Sequence, residues 1–268
     1  MNRLEVSTYT LHRLTLEDAL SKLVDQGWSQ IEIMGEDAGY VLYQWRTERL
    51  RALAGALHDK GVRLNLHMPV AAFNPADPAC QKEAWTVWRR TLDLIDIFDF
   101  DYVLMHPGRA AAHASGLDSL GRFLREALPQ LPASCRLALE NTMFHEARDE
   151  VGTSVEDLLQ LVRAAGDPRV GIMFDIGHAF VAQGERLAQQ FELAQPYLIG
   201  CHLNDNHGEH DEHLALGDGA IAYEPVLKAW QVHPDWWMNL ELDRLELAEK
   251  TAAVIAPFAP VGGDDVSA

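Results

Sequence analysis

Eight short runs of strand-forming residues recur along the chain at a nearly constant interval, and that interval limits the possible folds more than any other feature. The runs are LEVST (4–8), QIEIM (30–34), VRLNLH (62–67), DYVLMH (101–106), RLALE (136–140), VGIMFD (170–175), YLIGCHL (197–203) and WMNLEL (237–242). Their C-terminal ends lie about 33 residues apart on average, the length of one strand, one helix and two short loops. Eight such units in 268 residues predict an α/β chain folded as a single-domain (β/α)8 TIM barrel. Between the runs the apolar period changes to that of a helix. Leu16, Ala19, Leu20, Leu23 and Val24 predict a helix over 15–26 that ends near Gly27. Leu50, Leu53, Ala54 and Leu57 repeat the pattern, with Gly61 as a left-handed stop. TSVE at 153–156 matches a capping box ahead of the stripe Val155, Leu158, Leu159 and Val162.

A doubly wound open sheet is the competing fold. It would place a Gly-rich phosphate loop after the first strand, where this chain has TYTLHRLTLED, with neither GxGxxG nor GxxxxGK[ST]. No Gly/Ser-rich or Pro-rich linker divides the chain, so the barrel is expected over 1–258, followed by a polar, frayed tail over 259–268. No apolar run is long enough for a membrane span, and the first residues lack the apolar core of a signal peptide. Three scattered cysteines in no CxxC spacing read as reduced thiols of a cytoplasmic protein. Forty acids against 22 bases give a net charge of −18, which opposes non-specific affinity for nucleic acid or anionic membrane.

Barrel active sites form at the C-terminal ends of the strands, and there this sequence concentrates its ionisable residues. Successive runs end in or carry His67, His106, Glu140, Asp175, His202 and Glu241, and His178 follows Asp175 by one turn. The loop after the seventh run adds His207, His210, Asp211 and His213. Taken singly, each has a structural reading: a hydrogen-bonded histidine, a salt-bridged acid, a solvated turn. Taken together at consecutive strand ends, they predict a multinuclear metal site, because converging carboxylates repel unless cations lie between them. Imidazole with carboxylate suits zinc, manganese, iron or cobalt. His207 and His210 are expected to face solvent. Cys201, Trp85, Trp88, Trp236 and Trp237 are expected to pack in the core. No GxSxG, HExxH or catalytic-cysteine signature occurs, so the chemistry falls to metals and carboxylates.

The segments VLMHPG (103–108), LALENT (137–142), VGIMFDIGHAF (170–180), IGCHLNDN (199–206), DEHLALGDG (211–219) and NLEL (239–242) resemble, in order and spacing, the xylose isomerase-like barrel superfamily. That superfamily includes sugar isomerases and epimerases and the type IV apurinic/apyrimidinic endonucleases. Resemblance to the first branch implies one divalent metal on Glu140, Asp175, His202 and Glu241. Glu140 and Glu241 would then act as base and acid across a metal-stabilised enediolate. Resemblance to the second implies three zinc ions. His67, His106 and Glu140 would hold one, Glu140, Asp175, His202 and Glu241 another, and His178, Asp211 and His213 the third, with a metal-bound hydroxide attacking a phosphodiester.

The loops GEDAGYVLYQW (35–45), MPVAAFNPADPA (68–79) and MFHEARDEVG (143–152) are acidic or neutral, and Arg46 and Arg109 are the obvious bases near the mouth. An acidic rim bearing Tyr40, Tyr43, Phe73 and Phe144 suits a small polyol better than DNA. The expectation is therefore an isomerase or epimerase of a small sugar or sugar phosphate, carrying one to three divalent ions (zinc, manganese or cobalt) and able to form a homo-oligomer. The alternatives are a type IV-like multinuclear zinc phosphodiesterase and a non-catalytic metal-storing barrel. The last would not need carboxylates on both sides of the mouth.

Overall fold

The computed structural model describes residues 3–143 and 149–260. Eight parallel strands, β1 (Leu4–Ser7), β2 (Gln30–Met34), β3 (Arg63–His67), β4 (Tyr102–Met105), β5 (Arg136–Glu140), β6 (Val170–Asp175), β7 (Leu198–Leu203) and β8 (Trp237–Leu240), close into one barrel in chain order. Closure runs through β1 and β8, with Leu4 opposite Met238 and Val6 opposite Leu240. The TIM barrel expected from the spacing is the fold.

The outer ring consists of α1 (Leu16–Asp25), α2 (Thr47–His58), α3 (Gln81–Phe98), α4 (His113–Ala127), α5 (Val155–Ala165), α6 (Ile176–Gln183), α7 (Leu187–Ala194), α8 (Glu224–Val232) and α9 (Leu245–Ile255). Helix α1 starts where Thr15 Oγ1 accepts the Asp18 N–H at 3.2 Å, and it buries Leu16, Ala19, Leu20 and Leu23. Beyond α2, Gly61 takes φ +71° and turns the chain into β3. The capping box read at 153–156 is displaced by one residue. Ser154 is the cap of α5 and accepts the Asp157 N–H at 3.4 Å. The physical reason is that the Val155 N–H is already taken by Gln190 Oε1 at 2.7 Å, while Glu156 turns outward to Arg186 and Gln190.

Strand side chains alternate between the barrel interior and the helix layer. Tyr102, Leu104, Ala138, Met173, Ile199 and Trp237 form a separate buried apolar cluster inside the barrel. The larger core fills the space between strands and helices, and Cys201, Trp88 and Trp236 belong to it, with Trp85 packed against it. The C-terminal half of the barrel interior is polar, and there the candidate site lies. Among the described residues no helix is long and apolar enough to cross a membrane. The tail expected over 259–268 falls, from residue 261 onward, outside the described residues.

Candidate metal centre

The candidate ligands gather at the C-terminal ends of strands. His67, Glu140 and Asp175 are the last residues of β3, β5 and β6, and His202 lies in β7. His106 and Glu241 lie one residue past β4 and β8, not within them as the sequence pattern suggests, because those ladders end at Met105 and Leu240. Among the described residues, two groups present ligand atoms that all lie within 4.8 Å of one another: His67, His106 and Glu140, and Glu140, Asp175, His202 and Glu241. Glu140 belongs to both. Its Oε2 lies 3.1 Å from His67 Nε2 and 2.9 Å from His106 Nε2, and its Oε1 lies 3.0 Å from His202 Nδ1. His202 Nδ1 also lies 2.6 Å from Glu241 Oε2 and 3.7 Å from Asp175 Oδ2.

A third set is strung through one carboxylate. Asp211 Oδ2 lies 3.2 Å from His178 Nε2 and 2.9 Å from His213 Nε2. His178 Nδ1 in turn approaches Glu140 Oε1 at 3.6 Å. His207 and His210 are exposed.

Hydrogen bonding decides what these imidazoles can do. In His67, His178 and His213 the Nδ1 atom donates to a main-chain carbonyl, of Met68 (2.8 Å), Asn141 (3.0 Å) and Glu241 (2.9 Å) respectively. A neutral imidazole with a hydrogen on Nδ1 has a bare lone pair on Nε2. In all three that lone pair faces a carboxylate oxygen. Only a proton or a cation between them makes the arrangement favourable. Glu140 Oε1, Glu241 Oε2, Asp211 Oδ1 and both His202 nitrogens are buried without a hydrogen-bond partner. This donor set of imidazole nitrogens and carboxylate oxygens fits a divalent ion of the zinc, manganese or cobalt kind.

Without a cation, protons take that role. Burial pushes the His67 imidazole down, but its hydrogen bond to Glu140 and that residue's charge outweigh burial and carry it up to about 9. His213 likewise reaches about 9, burial being outweighed by Asp211. Burial raises Asp175 to about 6, with His178 opposing and Glu140 adding to the rise. Glu241 is raised by burial yet falls to about 2 because His202 faces it.

The supports of this cluster are less legible in the sequence than the ligands. Asn141 and Asp175 bind reciprocally, Asn141 Nδ2 to the Asp175 carbonyl and the Asp175 N–H to Asn141 Oδ1, each at 2.9 Å. Asn204 Nδ2 donates to Asp175 Oδ2 at 3.0 Å. Asn204 approaches so closely that a Cβ added at Gly177 would lie 1.8 Å from its Oδ1. Asp205, 1% exposed, accepts four backbone N–H groups: Asn206 (2.9 Å) and Ile221 (3.0 Å) on Oδ1, Gly217 (2.8 Å) and Gly219 (3.0 Å) on Oδ2. That clamp folds the loop carrying Asp211 and His213, and it offsets the left-handed backbone of His213 at φ +48°, a conformation costing about 1–3 kcal/mol. The signal was the polar run NDN (204–206) directly after a buried strand.

The rim differs from the sequence expectation. Phe73 is 2% exposed and packs edge-on against Phe123 in the outer core. Tyr43 hydrogen-bonds Thr91 of α3 at 3.0 Å, and Tyr40 stacks on it. Phe144 lies outside the described residues. The aromatic ring beside the ligands is Tyr9, whose centroid lies 4.7 Å from that of His213. Burial and then the charges of Glu241, Asp211, Asp243 and Asp37 push its phenol up to about 12, so the surroundings of this ring are acidic. Arg46 is exposed at the start of α2, and Arg109 is half-buried in a bridge with Glu150.

The chain belongs to the xylose isomerase-like TIM barrel family, whose model matches residues 20–257. It is 26% identical over 265 residues to an uncharacterised protein of Methanocaldococcus jannaschii, covering 94% of this chain and 88% of that one. Among solved structures, a D-tagatose 3-epimerase-like protein superposes with a TM-score of 0.84 at 24% identity, covering 96% of this chain and 97% of the other. Endonuclease IV of Thermus thermophilus superposes at 0.67 with 20% identity, covering 96% and 98%. At these identities the superpositions speak for the fold.

Proposed function

We propose that this chain is a metal-dependent isomerase or epimerase of a small sugar or sugar phosphate, with Glu140 and Glu241 as its proton-transferring pair. One observation carries the proposal. Glu140 Oε1 and Glu241 Oε2 flank His202 Nδ1 at 3.0 and 2.6 Å, and both oxygens are buried with no hydrogen-bond partner. Glu140, Asp175, His202 and Glu241 would hold a divalent cation. When bound, that ion supplies the positive charge that acidifies a C–H bond beside a carbonyl or hydroxyl oxygen.

The side chains divide the remaining work. Glu140 would take a proton from carbon through a lone pair the cation leaves free, with His67 and His106 beside its Oε2. Glu241 would pass a proton drawn from solvent to the carbon from its own side of the mouth, while the proton on Glu140 leaves to solvent, so one proton is taken and one is given. Asp175, fixed by Asn141 and Asn204, holds its place and carries no proton. The acidic surroundings of Tyr9 suit a neutral polyol and oppose a phosphate backbone.

The test is solvent exchange. Metal-loaded protein is incubated in D2O with aldoses and ketoses, free and phosphorylated, and C–H signals are followed by NMR. Deuterium should enter the product of one sugar class, and E140Q and E241Q should abolish its entry. No exchange from any sugar would overturn the proposal.

A second reading has its own observation: the group His67, His106 and Glu140 shares Glu140 with the first group. A one-ion isomerase does not require it, whereas a multinuclear phosphodiesterase does, with His178, Asp211 and His213 as further ligands. H178A separates the two. Mild loss of turnover favours one-ion proton transfer. Severe loss, with cleavage of an abasic oligonucleotide by the parent protein, favours the phosphodiesterase.

A further inference from the structure

Below the metal-type ligands the barrel interior holds a second polar layer that the proposed proton transfer does not use. Glu5, Glu32, Tyr102 and His202 are 0% exposed and Asn65 is 2% exposed. Glu32 lies opposite Asn65, which is one inward-facing position before His67 on β3, whereas His202 lies in the ligand layer, opposite Asp175. Carboxylates this deep need every oxygen accounted for.

The accounting gives each hydrogen a direction. Asn65 Oδ1 accepts the Tyr102 N–H at 3.1 Å, which turns its Nδ2 to donate to Glu5 Oε2 at 2.9 Å. The Tyr102 hydroxyl lies against Glu5 Oε1 and 2.7 Å from Glu32 Oε2. A phenol has one hydrogen and cannot donate to two carboxylates, so one of the acids carries a proton and donates to the phenol oxygen. Glu5 is that acid. Burial and then the charge of Glu32 push it up to about 8. Tyr102 then donates to Glu32 Oε2, which leaves Glu32 Oε1 still to be satisfied. That oxygen lies 3.4 Å from His202 Nε2, and neither atom has a hydrogen-bond partner.

We propose that Glu32 is a positioning residue for the metal centre: it takes the Nε2 hydrogen of His202 and so turns the bare Nδ1 lone pair toward Glu140, Asp175 and Glu241. Glu5 donates to Tyr102 and Tyr102 to Glu32 Oε2, and His202 donates to Glu32 Oε1 from the other side. The other tautomer of His202 would set a lone pair against the unpartnered Glu32 Oε1 and a hydrogen at the ligand position. A carboxylate behind a ligating imidazole also raises its basicity. This inference rests on the metal-centre reading of the preceding sections, though not on which reaction the centre performs.

The test measures binding, with zinc alone as the probe. Full-length protein is stripped with chelator, and zinc affinity is measured by competition with a chromogenic chelator for the parent, E32Q, Y102F, H202A and E32Q/H202A. Melting of each metal-free form is recorded alongside. E32Q should weaken zinc binding by about 10–100-fold while the metal-free protein melts within a few degrees of the parent. Y102F, which only loosens Glu32, should weaken it less and serves as the second variant if E32Q does not fold. Because Glu32 acts through His202, adding E32Q to H202A should change affinity less than twofold. Parent-like affinity in E32Q, or the same loss with and without His202, would overturn the role of Glu32 while leaving the metal centre standing. A parent chain that binds no zinc would overturn the metal centre itself, and this inference with it.

Discussion

His202 Nδ1 and Glu241 Oε2 lie 2.6 Å apart with no hydrogen bond to any partner, buried where Glu140 Oε1 also converges at 3.0 Å. Buried, unpartnered nitrogen and carboxylate oxygens that converge in this way need a proton or a cation among them. The stability of the protein should therefore depend on metal. At an ion concentration about 100-fold above Kd, binding adds about 2.7 kcal/mol, which for a chain of this size is a rise in Tm of roughly 5–10 °C. Calorimetry with and without chelator, paired with elemental analysis, checks this. An unchanged Tm together with no bound metal would remove the basis of the site.

Metal affinity should rise with pH. His67 and His213, each at about 9 in the cation-free site, must release protons before their Nε2 atoms can ligate. Raising the pH from 6 toward 9 removes that competition, so apparent zinc affinity should climb across this window and level off above it. Isothermal titration in buffers of different ionisation enthalpy reads the released protons directly. Binding with no proton release would mean that these histidines stay outside the coordination.

Asp205→Ala should unfasten the loop after β7. Four backbone N–H groups lose their acceptor, and orphaned buried donors cost about 1–3 kcal/mol each before water relieves some of them. Hydrogen exchange should speed up at Gly217, Gly219 and Ile221 ahead of the barrel strands. Because the same loop carries Asp211 and His213, any ion they help to hold should bind more weakly. Protection factors unchanged at those three amides would contradict the clamp.

The sequence disclosed the candidate ligands because they sit where strands end, and strand ends are set by a period that survives without any contact information. His67, Glu140 and Asp175 close their strands as the apolar runs indicate, and His106 and Glu241 miss by one residue. The sidedness of loops is not periodic. Phe73 therefore reads as a rim residue until the packing against Phe123 shows it in the core. Glu5, Glu32 and Asn65 were hidden for another reason. A polar residue at every second position of a strand looks like a solvated face, yet in a barrel both faces are enclosed. The clue was present in LEVST, QIEIM and VRLNLH: acids and an amide at inward positions of strands buried on both sides. The partners that make them tolerable, Tyr102 above all, come from another strand and carry no mark of it in sequence.

Gly177→Ala should damage the site without touching a ligand. The added Cβ would meet Asn204 Oδ1 at 1.8 Å, so Asn204 must withdraw from Asp175 Oδ2, which it now holds at 3.0 Å. Overpacking of this kind costs about 1–3 kcal/mol. The larger consequence should be weaker metal binding, since Asp175 loses one of its fixed contacts. Comparing zinc affinity and urea midpoint in the variant separates the two effects. A lowered midpoint with parent-like affinity would mean that Asn204 does not orient Asp175.

Glu5→Gln should flatten the dependence of stability on pH. In the folded protein Glu5 keeps its proton to about 8, first because it is buried and then because Glu32 is beside it, while in the unfolded chain it ionises near its ordinary 4.5. Between those values the folded state binds more protons than the unfolded state. Stability from this group is thus full below about 4.5 and is lost as the pH rises toward 8, at up to about 1.4 kcal/mol per pH unit. His67 slopes the same way from 6.5 to about 9 in the cation-free protein, so the comparison should be made with metal saturating, when that imidazole is committed. Glutamine can donate to the Tyr102 oxygen and accept from Asn65 as the protonated acid does, which preserves the chain to Glu32. Urea melts of the parent and E5Q at intervals from pH 5 to 8 should show the parent weakening steadily relative to the variant. Parallel curves would mean that the proton shared through Tyr102 does not reside on Glu5.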